Sequence, residues 1–275
     1  CSIDKPKYCD DGNLINKCSV CGCPSNQYCD KTSELCKIKL TLKGGVINST
    51  YMNSARGVYV SGNYAYVTGL DSNSLAVVDV SNPSSPKVVG GIIDSTYMAY
   101  ASSVFVSGKY AYVTGISSDS LAVIDISNPS SPRLVGGVID STYMDGAHAV
   151  YVSGNYAYVV GSDSNSLAVV DISDPFSPVV VGGIIDQTYM RYAHSVYVLG
   201  KYAYVAALSA DSLVIIDVSN PSSPTIVGKV THSTYLNGAS SVYVLGKYAY
   251  ITGFASLAVV DISNPFSPRI IGVFS

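Results

Sequence analysis

Hydrophobic and polar positions along this chain alternate in short bursts rather than in helical waves. No stretch keeps a 3.6-residue apolar period through three turns. Short runs rich in Val, Ile, Tyr and Ala are separated instead by clusters of Ser, Gly, Asn, Asp and Pro, the pattern of strands and tight turns. One unit reads as four strands: A from Gly57 to Ser61, B from Tyr64 to Gly69, C from Leu75 to Val80 and D from Lys87 to Ile93. Ser61-Gly62-Asn63 is a hairpin turn between A and B. Asp71-Ser72-Asn73-Ser74 joins B to C, and Asn82-Pro83-Ser84-Ser85-Pro86 joins C to D. Pro83 presets a turn dihedral, and Pro86 begins an outer strand, where a missing N–H is harmless.

The unit recurs. Tyr-Ala-Tyr stands at 64–66, 110–112, 156–158, 202–204 and 248–250, a constant offset of 46 residues. A period of that length without helices points to propeller blades. One blade cannot bury both faces of its sheet, whereas blades arranged radially can. The expected fold is therefore all-β: a five-bladed β-propeller of four-stranded antiparallel blades, closed into a ring with strand A innermost. A linear solenoid is the competing architecture, usually built from shorter repeats. The fifth unit is two residues shorter in its B–C loop, at Gly253-Phe254-Ala255-Ser256.

One strand is surplus. Gly44-Gly45-Val46-Ile47 matches Gly90-Gly91-Ile92-Ile93, ahead of the first blade, and Ile38, Leu40 and Leu42 alternate with Lys39, Thr41 and Lys43. Residues 38–54 are thus expected to hold an extra D-type strand and its D–A loop. That strand either completes the chain's own last blade or pairs with the blade edge of a neighbouring molecule.

All seven cysteines, Cys1, Cys9, Cys18, Cys21, Cys23, Cys29 and Cys36, fall in the first 36 residues. So short a segment cannot build a core and needs covalent staples. Zinc fits less well, because only one C-x-x-C pair and no His are present there. A small N-terminal disulfide-rich module over residues 1–37 is expected, six of its cysteines paired within the chain. Cys1 is the expected leftover, free for lipid, another chain or a partner outside the segment. Disulfides place the protein outside the reducing cytosol, secreted or at the cell surface. Of 275 residues only 13% are charged, and the net charge is -3, so there is no field for nucleic acid. The apolar runs are too short for a transmembrane helix.

Residues 7–30 (KYCDDGNLINKCSVCGCPSNQYCD) resemble cysteine-rich modules of surface proteins from uncultured archaea. The strand C segments read SLAVVDVSNPSSP (74–86), SLAVIDISNPSSP (120–132), SLAVVDISDPFSP (166–178), SLVIIDVSNPSSP (212–224) and SLAVVDISNPFSP (256–268). With the Tyr-Ala-Tyr hairpins, these resemble LVIVD repeats over residues 38–275. The resemblance implies a propeller, found largely in secreted and surface proteins of prokaryotes, and it brings no shared catalytic motif.

Strand C ends in Asp79, Asp125, Asp171, Asp217 and Asp261. Chemistry needs a carboxylate once or twice, not once per blade, so these read as acceptors that fix the following corner. The Asp71-Ser72-Asn73 and Asp163-Ser164-Asn165 loops lack the remaining ligands of a calcium site. The D–A loops repeat a tyrosine at Tyr51, Tyr97, Tyr143, Tyr189 and Tyr235. Gathered on one face, these would form an aromatic binding platform; otherwise they plug the seams between blades. Departures from the repeat are more informative. His148 and His194 stand where Arg56, Ser102 and Ser240 stand in the other units, with Asp145, Arg191 and Tyr192 close by. Two His and an Asp could bind a metal or move protons, but no nucleophile elbow or second carboxylate accompanies them, so a solvated polar patch is the simpler reading. His232 is isolated, and Asn48-Ser49-Thr50 is a glycosylation sequon.

The sequence thus points to a non-enzymatic extracellular structural protein that needs no metal or cofactor. Its expected partners are copies of itself, assembled into a filament or surface array through the surplus strand and the odd cysteine, or other surface proteins and glycans. A lectin-like or adhesive propeller is the alternative and a glycoside hydrolase the distant one.

Overall fold

In the computed structural model, residues 42–274 are described in full, with the backbone of four short strands ahead of them. Those four form two hairpins, Tyr8–Asp10 with Asn13–Ile15 and Gln27–Asp30 with Leu35–Ile38. Cys29 is disulfide-bonded; the pairing expected of the other cysteines lies outside the described residues. The chain divides into two compact units, Cys1–Gly45 and Val46–Ser275.

The second unit contains five four-stranded antiparallel sheets, the number the repeat requires. Blade 1 comprises Ala55–Ser61, Tyr64–Gly69, Ser74–Asp79 and Lys87–Ile93. Blade 3 comprises Ala147–Ser153, Tyr156–Gly161, Ser166–Asp171 and Val179–Ile185. Blades 2, 4 and 5 repeat the pattern from Ala101, Ala193 and Ser241. Each A–B turn is made by a glycine in the left-handed region, such as Gly62 at φ 56° and Gly154 at φ 59°. Each strand C aspartate accepts the backbone N–H two residues on, as Asp79 Oδ1 does from Ser81 at 2.9 Å. These hydrogen bonds hold the five carboxyls below the usual range and make them corner-fixing acceptors.

The core lies in the seams. Between blades 1 and 2, Tyr66, Leu75 and Val77 of one sheet pack on Val104, Val106, Ala111 and Val113 of the next, with Met98 of the D–A loop inserted. Three equivalent clusters fill the seams between blades 2 and 3, 3 and 4, and 4 and 5. Along the inner strands a ladder of aromatic rings runs Tyr59, Phe105, Tyr151, Tyr197 and Tyr243, at 4.8, 4.9, 4.8 and 5.3 Å between centroids.

Blade 5 and blade 1 share no such cluster among the described residues. Val58 and Val60 are 65% and 61% exposed, while Val104 and Val106, at the same positions in blade 2, are 6% exposed. On the facing side Leu257 is 36% exposed where Leu75, Leu121, Leu167 and Leu213 are fully buried. The expected sealed ring is therefore corrected: among the described residues there are five blades and four packed seams, and the fifth seam is open.

The surplus strand also differs from expectation. Ile38 ends the second N-terminal hairpin, and residues 42–48 are irregular backbone. The reason is that the fourth place in the fifth sheet is already filled by Arg269–Phe274, so no strand C edge is left for it within the chain.

Candidate functional site

The repeat puts one residue per blade at the entrance to the space enclosed by the inner strands: Arg56, Ser102, His148, His194 and Ser240. This is a place of local irregularity. In blade 3 the pairing passes from Ala147 opposite Gly161 to Ala149 opposite Val160, so His148 is an extra, bulged residue. His194 is bulged identically between Ala193 and Ser195. A bulge re-aims the side chain it carries, here away from the sheet and toward the axis. Part of the disturbed backbone is satisfied by strand B: Thr68 Oγ1 accepts from Gly57 N at 2.8 Å and donates to Ser102 O at 2.9 Å.

Five inner strands thus surround a recess of about 330 Å³. Its lining is small and polar, with hydroxyls from Ser102, Ser103, Ser195, Ser240 and Ser241 and a single charged side chain, Arg56. The imidazoles of His148 and His194 lie 3.8 Å apart between centroids, tilted by 40°. Nδ1 of His148 lies 3.0 Å from the His194 carbonyl oxygen, which only accepts, so Nδ1 carries the proton and donates. Nε2 is then a lone pair, and the Arg56 guanidinium donates to it. Nδ1 of His194 likewise donates to the Ser240 carbonyl, at 2.7 Å. Nε2 of His194 is left as a lone pair with no partner among the described residues.

Burial, then the neighbouring His194 and Arg56, push His148 down to about 3, against the opposing hydrogen bond to the His194 carbonyl. Burial also lowers His194, helped by Arg56 and opposed by the Ser240 carbonyl. Both rings are therefore neutral at physiological pH. With His148 Nε2 facing a guanidinium, the cluster suits an anion and a proton acceptor rather than a metal cation.

The other expected site residues lie elsewhere. Asp145 is grouped with Asp119 and Asp163; burial and those charges raise its carboxyl. Arg191 is spent on the neighbouring B–C loop of blade 4, donating from Nε and Nη2 to the Ser209 carbonyl at 3.2 and 2.6 Å. The loop tyrosines sit against blade surfaces. A Cβ on Gly91 would fall 2.6 Å from the Tyr51 ring, and Gly137 and Gly183 stand in the same way to Tyr97 and Tyr143. Lys229 replaces the fourth glycine and sets its Nζ 3.3 Å from the Tyr189 ring centre. Only Tyr235 departs, 40% exposed and stacked on His232 at 4.0 Å. Asn48 holds the place of Asp94 in its loop, its Oδ1 accepting from Tyr51 N at 2.9 Å. Arg56 is the residue that sequence reasoning missed as a participant. The signal was present, because it fills the repeat position of the two histidines.

A radial array of four-stranded antiparallel sheets with a polar, arginine-bearing recess on the axis defines a propeller with a channel-end site. Five copies of the LVIVD repeat match, at residues 53–93, 99–140, 146–185, 190–232 and 238–275, and the chain belongs to the LVIVD repeat family. No curated protein matches it. Among solved structures it resembles a protein from Lactobacillus plantarum, at 14% identity and TM-score 0.72 over 90% of this chain and 77% of that one. It also resembles the periplasmic gluconolactonase PpgL of Pseudomonas aeruginosa, at 15% identity and TM-score 0.67 over 82% and 70%. A candidate 6-phosphogluconolactonase from Bacteroides uniformis aligns at 16% identity and TM-score 0.63 over 79% and 72%.

These likenesses are of fold, yet they correct the functional expectation. The sequence pointed to a structural protein without enzymatic activity, on the ground that no familiar catalytic set is visible. Structures carrying lactonase names resemble this fold, so the fold is no argument against catalysis. The sequence hid this because the groups that meet in the recess stand 46 and 92 residues apart.

Proposed function

We propose that this protein is a hydrolase of cyclic esters, with lactones of sugar acids as the substrate class and the axial recess as the site. The observation that carries the reading is the unshared Nε2 of His194 beside an Arg56 that has no carboxylate partner among the described residues. Ester hydrolysis needs a proton acceptor for the attacking water and a positive charge for the oxyanion. Glycosidic cleavage needs two carboxyls, and no carboxylate lines the recess.

In this scheme His194 Nε2 takes a proton from water as the water oxygen attacks the ester carbonyl. The electron pair moves onto the carbonyl oxygen, which Arg56 faces. Collapse of the tetrahedral species breaks the ring C–O bond, and the departing alkoxide takes the proton back from His194. The product is an open-chain hydroxy acid whose carboxylate Arg56 also suits. His148 works as a positioning residue: its Nε2 holds the guanidinium and its Nδ1–H fixes the His194 backbone. The names of the gluconolactonase relatives support the substrate class. The N-terminal cysteines and the bonded state of Cys29 support an oxidising, extracytoplasmic setting.

Acid release from D-glucono-1,5-lactone tests this. The wild type should exceed spontaneous hydrolysis, and R56Q and H194Q should each lose about 100-fold in kcat/KM. A wild type no faster than buffer would sink the proposal.

A further inference from the structure

In the loop before each inner strand one residue adopts a left-handed backbone: Ser54, Tyr100, Gly146, Tyr192 and Gly238, at φ 53°, 56°, 68°, 56° and 65°. The conformation is built into the repeat. Its amide donates to a side-chain oxygen 27 residues earlier, Tyr100 to Asn73, Gly146 to Asp119, Tyr192 to Asn165 and Gly238 to Asp211, at 2.7 to 3.1 Å. Glycine makes this bond in blades 3 and 5 without steric cost. A bulky side chain in the same place is strained, and such strain collects at functional sites.

Burial does not explain the two tyrosines, which are 49% and 40% exposed. Their location does. Each stands two residues before a residue lining the recess, Ser102 and His194. The Tyr192 ring lies 6.3 Å from that of His194 and 6.5 Å from that of His148. Tyr100 and Tyr192 belong to the blades on either side of blade 3, where Gly146 leaves the approach to His148 free of a side chain.

We infer that Tyr100 and Tyr192 are ligand-binding residues, two aromatic walls at the mouth of the recess that take the faces of a ring-shaped substrate while its ester group reaches Arg56 and His194. The inference rests on the hydrolase reading and narrows it to saturated or sugar rings with an apolar C–H face, which a tyrosine ring contacts well. Straight-chain esters, having no face to offer, are poor substrates.

The test is steady-state hydrolysis of D-glucono-1,5-lactone, with competition by gluconate, for the wild type, Y192G, Y192F, Y100G and the double glycine variant. Glycine is what the repeat itself uses here, so the fold tolerates it, and melting should stay within about 3 °C of wild type. Each single glycine variant should raise KM and the gluconate Ki about tenfold with kcat within a factor of two; Y192F, which keeps the ring, should behave as wild type. A wild type that hydrolyses the lactone through Arg56 and His194, with glycine variants of unchanged KM, would overturn the aromatic walls alone. A wild type with neither hydrolysis nor gluconate binding would overturn the site as well.

Discussion

The Arg56 guanidinium donates to Nε2 of His148, 92 residues downstream and two blades around the axis. The bond exists only while His148 is neutral, because its Nδ1 proton is committed to the His194 carbonyl. A buried imidazole beside a permanent cation thereby becomes a pH-dependent element of stability.

Its sign follows from the depressed value of about 3 against 6.5 in the unfolded chain. Between those values the unfolded state holds a proton that the folded state refuses, so stability rises with pH across that window. The contribution is complete above 6.5 and is lost as pH falls toward 3. At pH 5 the loss should be about 2 kcal/mol relative to neutral pH. Urea unfolding at both pH values, for the wild type and H148Q, checks it: the variant should lose less stability on acidification. Equal losses would mean that His148 is not buried neutral beside Arg56.

The open seam predicts an asymmetry between equivalent valines. Val104 packs against blade 1, whereas Val58 faces no blade. V104A should cost about 1–3 kcal/mol through lost burial and a cavity, and V58A less than about 0.5. Matching costs by chemical denaturation would show that blades 5 and 1 pack together in solution.

A third expectation concerns the start of strand C. Ser166 is fully buried and its Oγ donates to the Tyr143 carbonyl, tying the D–A loop to the next sheet. S166A should cost about 1–3 kcal/mol, because the carbonyl stays buried without its partner. Ser256 makes the same bond to Tyr235 in exposed surroundings, and S256A should cost under about 1 kcal/mol by the same measurement.

What could be read in advance divides by the range over which the physics acts. Strands and turns are local, so Gly62, Pro83 and the Val-Ile-Tyr alternation marked them, and the 46-residue period supplied the blade count. The fate of the last seam was not local. Val58 and Val104 hold the same position of the repeat, and the presence or absence of a packed preceding blade separates their exposures. The site was half legible. His148 and His194 stood out as departures from the repeat, but Asp145 and Arg191, close to them in the chain, interact with B–C loops instead: Asp145 with Asp119 and Asp163, Arg191 with Ser209. Arg56 looked like one more variant of a serine position, because sharing a repeat position with the histidines does not show which of those side chains touch.

Two glycines of the outer strands give the most direct test of the open ring. A Cβ on Gly228 would fall 1.9 Å from the carbonyl oxygen of Pro265, in the C–D loop of the next blade, and Gly90, Gly136 and Gly182 meet their neighbours' loops in the same way. That loop is backbone and cannot swing aside as a side chain could. G228A should therefore force blades 4 and 5 apart and cost about 1–3 kcal/mol. Gly272 is the same residue of the repeat in blade 5, where the next blade would be blade 1. A Cβ there meets only Val259 of its own sheet, at 3.9 Å, an ordinary contact. G272A should be neutral, or stabilising by a few tenths of a kcal/mol, because alanine restricts the unfolded strand more than glycine does. Paired urea titrations of the two variants decide between the geometries. A G272A penalty equal to that of G228A would require the Pro83 loop to sit against blade 5, which only a sealed ring permits.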